Sequence, residues 1–280
     1  MNPISRAKKS SFVLPNAITA VGLLFGLLVI FRMNMIEPGA SGYETISSVA
    51  LLLLFSALAD FADGFVARWM RVQTQFGLLF DSLNDAITFG VAPAVIVLKT
   101  LSPEAKTLFS FWASAGAMTY CLCGVLRLVR YSVQKSTITF TQVSGEKYRF
   151  FTGLPIPAAC CAVISLTLVL TSDLNVSLGL SFEKVRAPAL IIAQIFLGIL
   201  MVSRWKFPAV TQLSSLFHSR KIAFLGLGTV VLFWLYSYHP TLALLVVIWG
   251  YVLGSLTYGL FCWATGKKEL ALAERWQWWT

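Results

Sequence analysis

Residues 46–69 read ISSVALLLLFSALADFADGFVARW. From Ile46 to Ala59 the run carries no charge, and with its flanks it is long enough for a hydrocarbon core of about 30 Å, which needs roughly 20 apolar residues. It then closes on Asp60, Asp63, Gly64 and Arg68, so the polar groups sit at one end of the segment, not along one face. That pattern belongs to a transmembrane helix with something polar at its mouth. The whole chain agrees: of 280 residues 57% are hydrophobic and only 12% are charged, with mean hydropathy +0.76. A soluble globular domain carries about 25% charged residues, and disorder needs the opposite bias, so both are excluded. The formal net charge of +10 would point to nucleic acid on a soluble chain. On this one it marks cytoplasmic loops and contact with anionic membrane lipid, and no nucleic-acid partner is expected.

Hydropathy and Pro/Gly punctuation predict an all-α polytopic membrane protein with about eight transmembrane helices, at about 13–31, 46–69, 77–99, 107–131, 153–172, 187–203, 222–238 and 241–263. The N-terminal run follows Arg6, Lys8 and Lys9 but lacks a small-residue cleavage pattern, so it reads as a first span and not as a signal peptide. With the N-terminus in the cytoplasm, 17 of the 22 Lys and Arg fall on the cytoplasmic side. Both termini are therefore expected inside, with the protein in the cell (inner) membrane. Cys121, Cys123, Cys160, Cys161 and Cys262 lie in or beside apolar runs, without a His at zinc-ligand spacing, and read as small hydrophobes. The chain reads as one membrane domain over 1–280.

Acidic residues are scarce, yet four of the five Asp (Asp60, Asp63, Asp81 and Asp85) fall within residues 60–85. Spacings of three and four put Asp60 with Asp63, and Asp81 with Asp85, on single helix faces. The topology places both pairs at the cytoplasmic ends of adjacent antiparallel helices, where they can meet as one cluster. Two carboxylates about 4 Å apart repel by roughly 4 kcal/mol at an effective dielectric of 20, so four cannot all stay ionised without cations. Oxygen ligands with no His or Cys nearby select Mg²⁺, Mn²⁺ or Ca²⁺ over zinc. The expected site binds divalent metal, two ions in all. Gly64 and Ala67 beside Asp63, and Gly77 before Asp81, leave room for a bulky ligand. Arg68, one turn beyond Asp63, can hold phosphate bidentately. Metals, an arginine and a slot together suit a pyrophosphate.

Asp60-x-x-Asp63-Gly64-x-x-Ala67-Arg68, eight residues, then Gly77-x-x-x-Asp81-x-x-x-Asp85 resembles the signature of the CDP-alcohol phosphotransferase family at every fixed position. Leu14-Pro15-Asn16, Phe89-Gly90-Val91-Ala92-Pro93-Ala94, Arg127-Leu-Val-Arg130-Tyr131, Gly153-Leu154-Pro155-x-Pro157-Ala158-Ala159 and Ser203-Arg-Trp-Lys-Phe207-Pro208 are similar to its bacterial-type phosphatidylserine synthase branch. The resemblance covers roughly 12–210 as a core, leaving 211–280 as two additional helices and a cytoplasmic tail. Two departures stand out: Arg127-Leu-Val-Arg130-Tyr131-Ser132 where the branch commonly reads Arg-Leu-Ala-Arg-Phe-Asn, and Asn84 where it commonly has Ala.

The resemblance implies transfer of a phosphatidyl group from CDP-diacylglycerol to L-serine, with CMP leaving, at an active site facing the cytoplasm, and it implies a homodimer. Asp60, Asp63 and Asp81 are then the main ligands of Mg²⁺ or Mn²⁺. Asp85 also lies at the metals and resembles the family's general base, positioned for the serine hydroxyl proton. Asn16 and Thr19 at the mouth of the first helix are candidates for the cytidine. The serine carboxylate calls for a cation, and Arg127 and Arg130, then Lys147 and Arg149, are the candidates. The rival acceptors are choline, glycerol 3-phosphate and inositol phosphate. A divalent-cation transporter is a remote alternative, since transporters place acidic residues near the midplane in two related halves.

Overall fold

The computed structural model describes residues 3–37, 41–70, 74–104, 106–138, 150–172, 183–208 and 239–265. These form eight α-helices: α1 (Pro3–Met35), α2 (Tyr43–Trp69), α3 (Gln75–Asp85), α4 (Ala92–Leu101), α5 (Leu108–Ile138), α6 (Ile156–Thr171), α7 (Glu183–Val202) and α8 (Pro240–Ala264). A π-helical turn, Ala86–Val91, joins α3 to α4 into one continuous rod, Gln75–Leu101. Two three-residue strands, β1 (Phe150–Thr152) and β2 (Lys206–Pro208), pair antiparallel with Phe151 opposite Phe207.

Six stretches are long and apolar enough to cross a membrane: Val13–Met35, Tyr43–Trp69, Gln75–Leu101, Leu108–Val133, Val185–Val202 and Pro240–Phe261. They coincide with six of the predicted spans. The predicted span 153–172 is α6, whose 16 residues cover only about 24 Å at 1.5 Å per residue. The predicted span 222–238 lies outside the described residues. The outer faces are apolar, as lipid requires: Leu51, Leu54, Phe55, Leu58, Phe61 and Phe65 of α2 are all exposed. α6 is the exception. Eleven of its residues are buried, including Ile156, Val163, Ser165 and Leu168, so it stands inside the bundle, as a helix that is hydrophobic all round should.

The π turn has a chemical cause that also fixes the helix beside it. The Ala92 N–H reaches back five residues to the Ile87 carbonyl. Pro93, in the next position, has no N–H to offer the Phe89 carbonyl four residues before it. The hydroxyl of the fully buried Tyr120 on α5 donates to that carbonyl at 3.0 Å. The Cys121 thiol donates more weakly to the Gly90 carbonyl at 3.4 Å. α5 and α7 approach closely because Gly198 lies against the Thr119 carbonyl and Gly116 against Ile191, as small residues permit in membrane helices.

The strand pair seals one end of the bundle. Gly153 follows β1 at φ +78°, and a Cβ there would strike the Met201 carbonyl, so only glycine suits the position. Its N–H donates to the Trp205 carbonyl at 2.9 Å, and the Leu154 N–H to the Leu200 carbonyl at 3.2 Å. Arg130 of α5 donates to the Thr152, Val202 and Ser203 carbonyls, tying the ribbon to the end of α7.

Candidate active site

The four aspartates come from two helix ends. α2 presents Asp60 and Asp63 one turn apart, and α3 presents Asp81 and Asp85. α3 starts where the Thr74 hydroxyl accepts the Gly77 N–H at 3.1 Å, a side-chain N-cap that sets its first turn. One carboxylate oxygen each from Asp60, Asp63 and Asp81 lies within 4.8 Å of the others. Ligand oxygens about 2.1–2.6 Å from one divalent ion are at most about 5 Å apart, so these three fit a shared cation. Asp60 also lies within hydrogen-bonding reach of Asp85 and Asp81. The Asp85 Oδ1 is buried without a hydrogen-bond partner, an unmet acceptor in the interior of the same cluster. Donor set and geometry together suit Mg²⁺ or another hard divalent ion.

The small and basic residues around the cluster divide by what they touch. A Cβ on Gly64 would meet only the end of the Arg68 side chain, at 4.0 Å, so space is open beside Asp63, with an exposed guanidinium lying over it. Ala67 is half-buried on the same helix. Gly77 is different: a Cβ there would come within 3.1 Å of Asn16 Oδ1 and 3.2 Å of Thr74 Oγ1. Its smallness admits the Asn16 side chain from α1, bringing that carboxamide to the start of α3. Thr19, one turn further along α1, is 3% exposed and lies 2.5 Å from Asp63 Oδ2 and 3.1 Å from the Pro15 carbonyl. Its hydroxyl donates to Asp63, so within this structure it orients a metal-site carboxylate.

The chain belongs to the CDP-alcohol phosphatidyltransferase family. The family model matches residues 12–264, nearly the whole chain. Among curated relatives, the CDP-diacylglycerol--serine O-phosphatidyltransferase of Helicobacter pylori (strain ATCC 700392 / 26695) is 31% identical over 197 residues, 70% of this chain and 72% of that protein. The Bacillus subtilis (strain 168) protein of the same name is 30% identical over 196 residues, 70% of this chain and 89% of its own length. The Methanocaldococcus jannaschii counterpart is 32% identical over 157 residues, 56% of this chain and 62% of its own.

Within this family member, the two arginines of α5 have different surroundings. Arg130 is 5% exposed and its guanidinium is bonded to the three carbonyls of the ribbon and α7. Arg127 is 8% exposed, and its Nε has no hydrogen-bond partner. Asp85 and the phenols of Tyr131 and Tyr251 interact electrostatically with its guanidinium. Arg127 therefore faces the carboxylate cluster with donor capacity in hand, while Arg130 holds the scaffold. Lys147 and Arg149 lie outside the described residues.

Sequence reasoning missed three residues around this site. Tyr251 belongs to α8, to which the sequence assigns no role. Asn84, fully buried, accepts the Thr88 hydroxyl at 3.1 Å on Oδ1 and leaves Nδ2 without a partner. Ser82 and Ser132 bring their hydroxyls to 3.4 Å across α3 and α5. A buried amide three residues after Asp81 was a readable signal in an apolar helix. The other two depend on tertiary contact alone.

Proposed function

We propose that this protein transfers the phosphatidyl group of CDP-diacylglycerol to the hydroxyl of L-serine, giving phosphatidylserine and CMP in phospholipid biosynthesis. The observation that carries the reading is the gathering of Asp60, Asp63 and Asp81 within 4.8 Å beside Asp85, at adjoining ends of two apolar helices. Serine as acceptor is supported by the names of the relatives in Helicobacter, Bacillus and Methanocaldococcus.

Asp60, Asp63, Asp81 and Asp85 hold Mg²⁺ or Mn²⁺, two ions at full loading, and such ions neutralise pyrophosphate charge and favour departure of CMP. Arg68 lies over the open space at Gly64, with Ala67 alongside, and receives the donor's phosphates. Asn16, held against Gly77, lies at the mouth of α1 for the cytidine. Thr19 orients Asp63. Asp85 takes the serine hydroxyl proton as oxygen attacks phosphorus, and its unpartnered Oδ1 is an acceptor available for that proton. Arg127 receives the serine carboxylate. Arg130 supports it from the next turn, and Lys147 and Arg149 complete the basic surroundings.

The same proposal places this mouth and both termini in the cytoplasm of a cell with its active site at the inner membrane. The distribution of 17 of the 22 Lys and Arg supports that orientation. Eight spans follow from it. Trp205, just past α7, lies against Gly259 near the end of α8, so these two helices finish on the same side. The chain must cross once between them, as the apolar segment 222–238 permits. The family's homodimer is carried along as an expectation.

The direct test incubates membranes containing the protein with CDP-diacylglycerol and Mn²⁺ or Mg²⁺, adds each acceptor separately, and measures CMP. Release with serine, and not with choline, glycerol 3-phosphate or inositol phosphate, is expected. Release only with another acceptor overturns serine. No release with any acceptor, alongside metal uptake into vesicles, overturns the enzyme in favour of a transporter.

A further inference from the structure

α8 lies beyond the segment that carries the aspartates, yet it is pinned into the bundle on both sides of Tyr251. The Trp249 indole N–H donates to the Ala162 carbonyl of α6 at 3.1 Å. Two turns later, Gly259 gives room to the Trp205 ring, which leaves no space for a Cβ. Between these anchors the Tyr251 ring packs on Phe207 of β2, with centroids 6.4 Å apart. The tyrosine is thus held by a helix, a strand and an aromatic contact, and its phenol is directed at Arg127.

Arg127 has a difficulty that this contact answers. It is 92% buried, it carries an unpartnered Nε, and its carboxylate neighbour is Asp85. A guanidinium with freedom to turn would pair bidentately with that carboxylate and occupy the oxygen needed to take a proton. A neutral phenol oxygen beside it accepts an N–H without adding charge, so it can hold the guanidinium at a fixed angle. The remaining donors then stay available to an anionic group of the acceptor.

We propose that Tyr251 is a positioning residue for acceptor recognition: its hydroxyl accepts from Arg127 and holds the guanidinium off Asp85, directed at the acceptor's carboxylate. This gives the last helix a part in selecting an amino-acid acceptor over an uncharged alcohol. The assignment rests on the serine reading above, and one experiment separates the two.

Tyr251→Phe keeps the ring on Phe207 and removes only the hydroxyl. Steady-state CMP release is measured in nanodiscs for the parent and the variant, with serine and CDP-diacylglycerol varied in turn. The KM for serine should rise about tenfold, the order of one lost hydrogen bond to a charged group. The kcat at saturating serine, the KM for CDP-diacylglycerol and the melting temperature should stay near the parent values. In an Arg127→Lys background the same change should add little, because residues acting as a unit are not additive. An unchanged serine KM overturns the role of Tyr251 while leaving serine-dependent CMP release by the parent intact. A parallel rise in both KM values with a lower melting temperature also overturns it, in favour of a packing role. A parent that releases no CMP with serine overturns the acceptor reading itself, and the carboxylate role with it.

Discussion

Two regions at the same end of the bundle treat their polar groups in opposite ways. Around Arg130 and Gly153 each exposed requirement is met: the guanidinium bonds three carbonyls, and the Gly153 and Leu154 N–H groups both find acceptors. Around Asp85 and Arg127 the accounts stay open, with Asp85 Oδ1 and Arg127 Nε buried and unpartnered, and three carboxylates gathered within 4.8 Å. A buried polar group without a partner costs about 1–3 kcal/mol, more when charged. The first region is scaffold whose polar groups serve the fold. The second keeps polar groups unsatisfied in the fold alone because a ligand satisfies them.

The contrast is broken most easily at the aspartates. Asp60→Asn, Asp81→Asn and Asp85→Asn should each lower CMP release by about 10²–10⁴-fold, the range for removing a charge that acts in the transition state. Without metal the melting temperature should hold or rise, since each change removes one of several repelling charges. Mn²⁺ should raise the melting temperature of the parent and fail to do so for Asp60→Asn, because only the parent binds it in the folded state. Asp85→Asn should still bind the donor. Variants that melt earlier while keeping their rate would make the cluster scaffold.

Arg130→Met should do the reverse. It leaves three carbonyls without their donor and should cost about 3 kcal/mol of stability, read as a lower melting temperature and less folded protein. The rate per folded molecule and the KM for serine should change little. A variant of normal stability with a raised serine KM would move Arg130 from the scaffold to the acceptor site.

The aspartate cluster was legible in the sequence because spacings of three and four on an apolar background fix the face each side chain shares. Seven of the eight predicted helical spans fall on described helices for a related reason: uninterrupted apolar length is a local property. The difference between Arg127 and Arg130 was not legible. They stand one turn apart on α5 with equal claims to an anion, and only the carbonyls that the ribbon and α7 bring to Arg130 separate them. Gly77 shows the same limit. Its smallness was readable, but that Asn16 fills the space depends on how α1 crosses α3. Tyr251 is more than a hundred residues from Arg127, and nothing near it in the chain marks it. Pro93 lies between: a proline in a helical run announces an unmet carbonyl, though not that Tyr120 meets it.

Thr19 lies on the boundary between the two regions, since its hydroxyl is satisfied and its partner is a ligand carboxylate. Thr19→Val keeps the shape and removes the donor to Asp63. Loss of an outer partner to a metal ligand typically costs about 10–100-fold in metal affinity or activity. The Mn²⁺ concentration giving half-maximal CMP release should rise by that order, with the rate at saturating Mn²⁺ recovering most of its parent value. A raised KM for CDP-diacylglycerol at unchanged Mn²⁺ dependence would instead return Thr19 to the cytidine.

Asn84 tests the rule where it is weakest. Its Nδ2 is buried and unpartnered like Asp85 Oδ1, yet it lies toward α1, where a Cβ on Gly22 would come within 3.4 Å of it. An unmet donor pointing at a helix backbone, away from the carboxylates, has no ligand to wait for. In Asn84→Ala the orphaned amide disappears, and the Thr88 hydroxyl can turn to the backbone carbonyl of residue 84, as threonines in helices do. The lost hydrogen bond and the removed orphan offset each other, so stability should shift by no more than about 1 kcal/mol, with CMP release near the parent rate. A fall in rate comparable to that of the aspartate variants, at unchanged stability, would place Asn84 among the ligand-facing groups and extend the open region to α1.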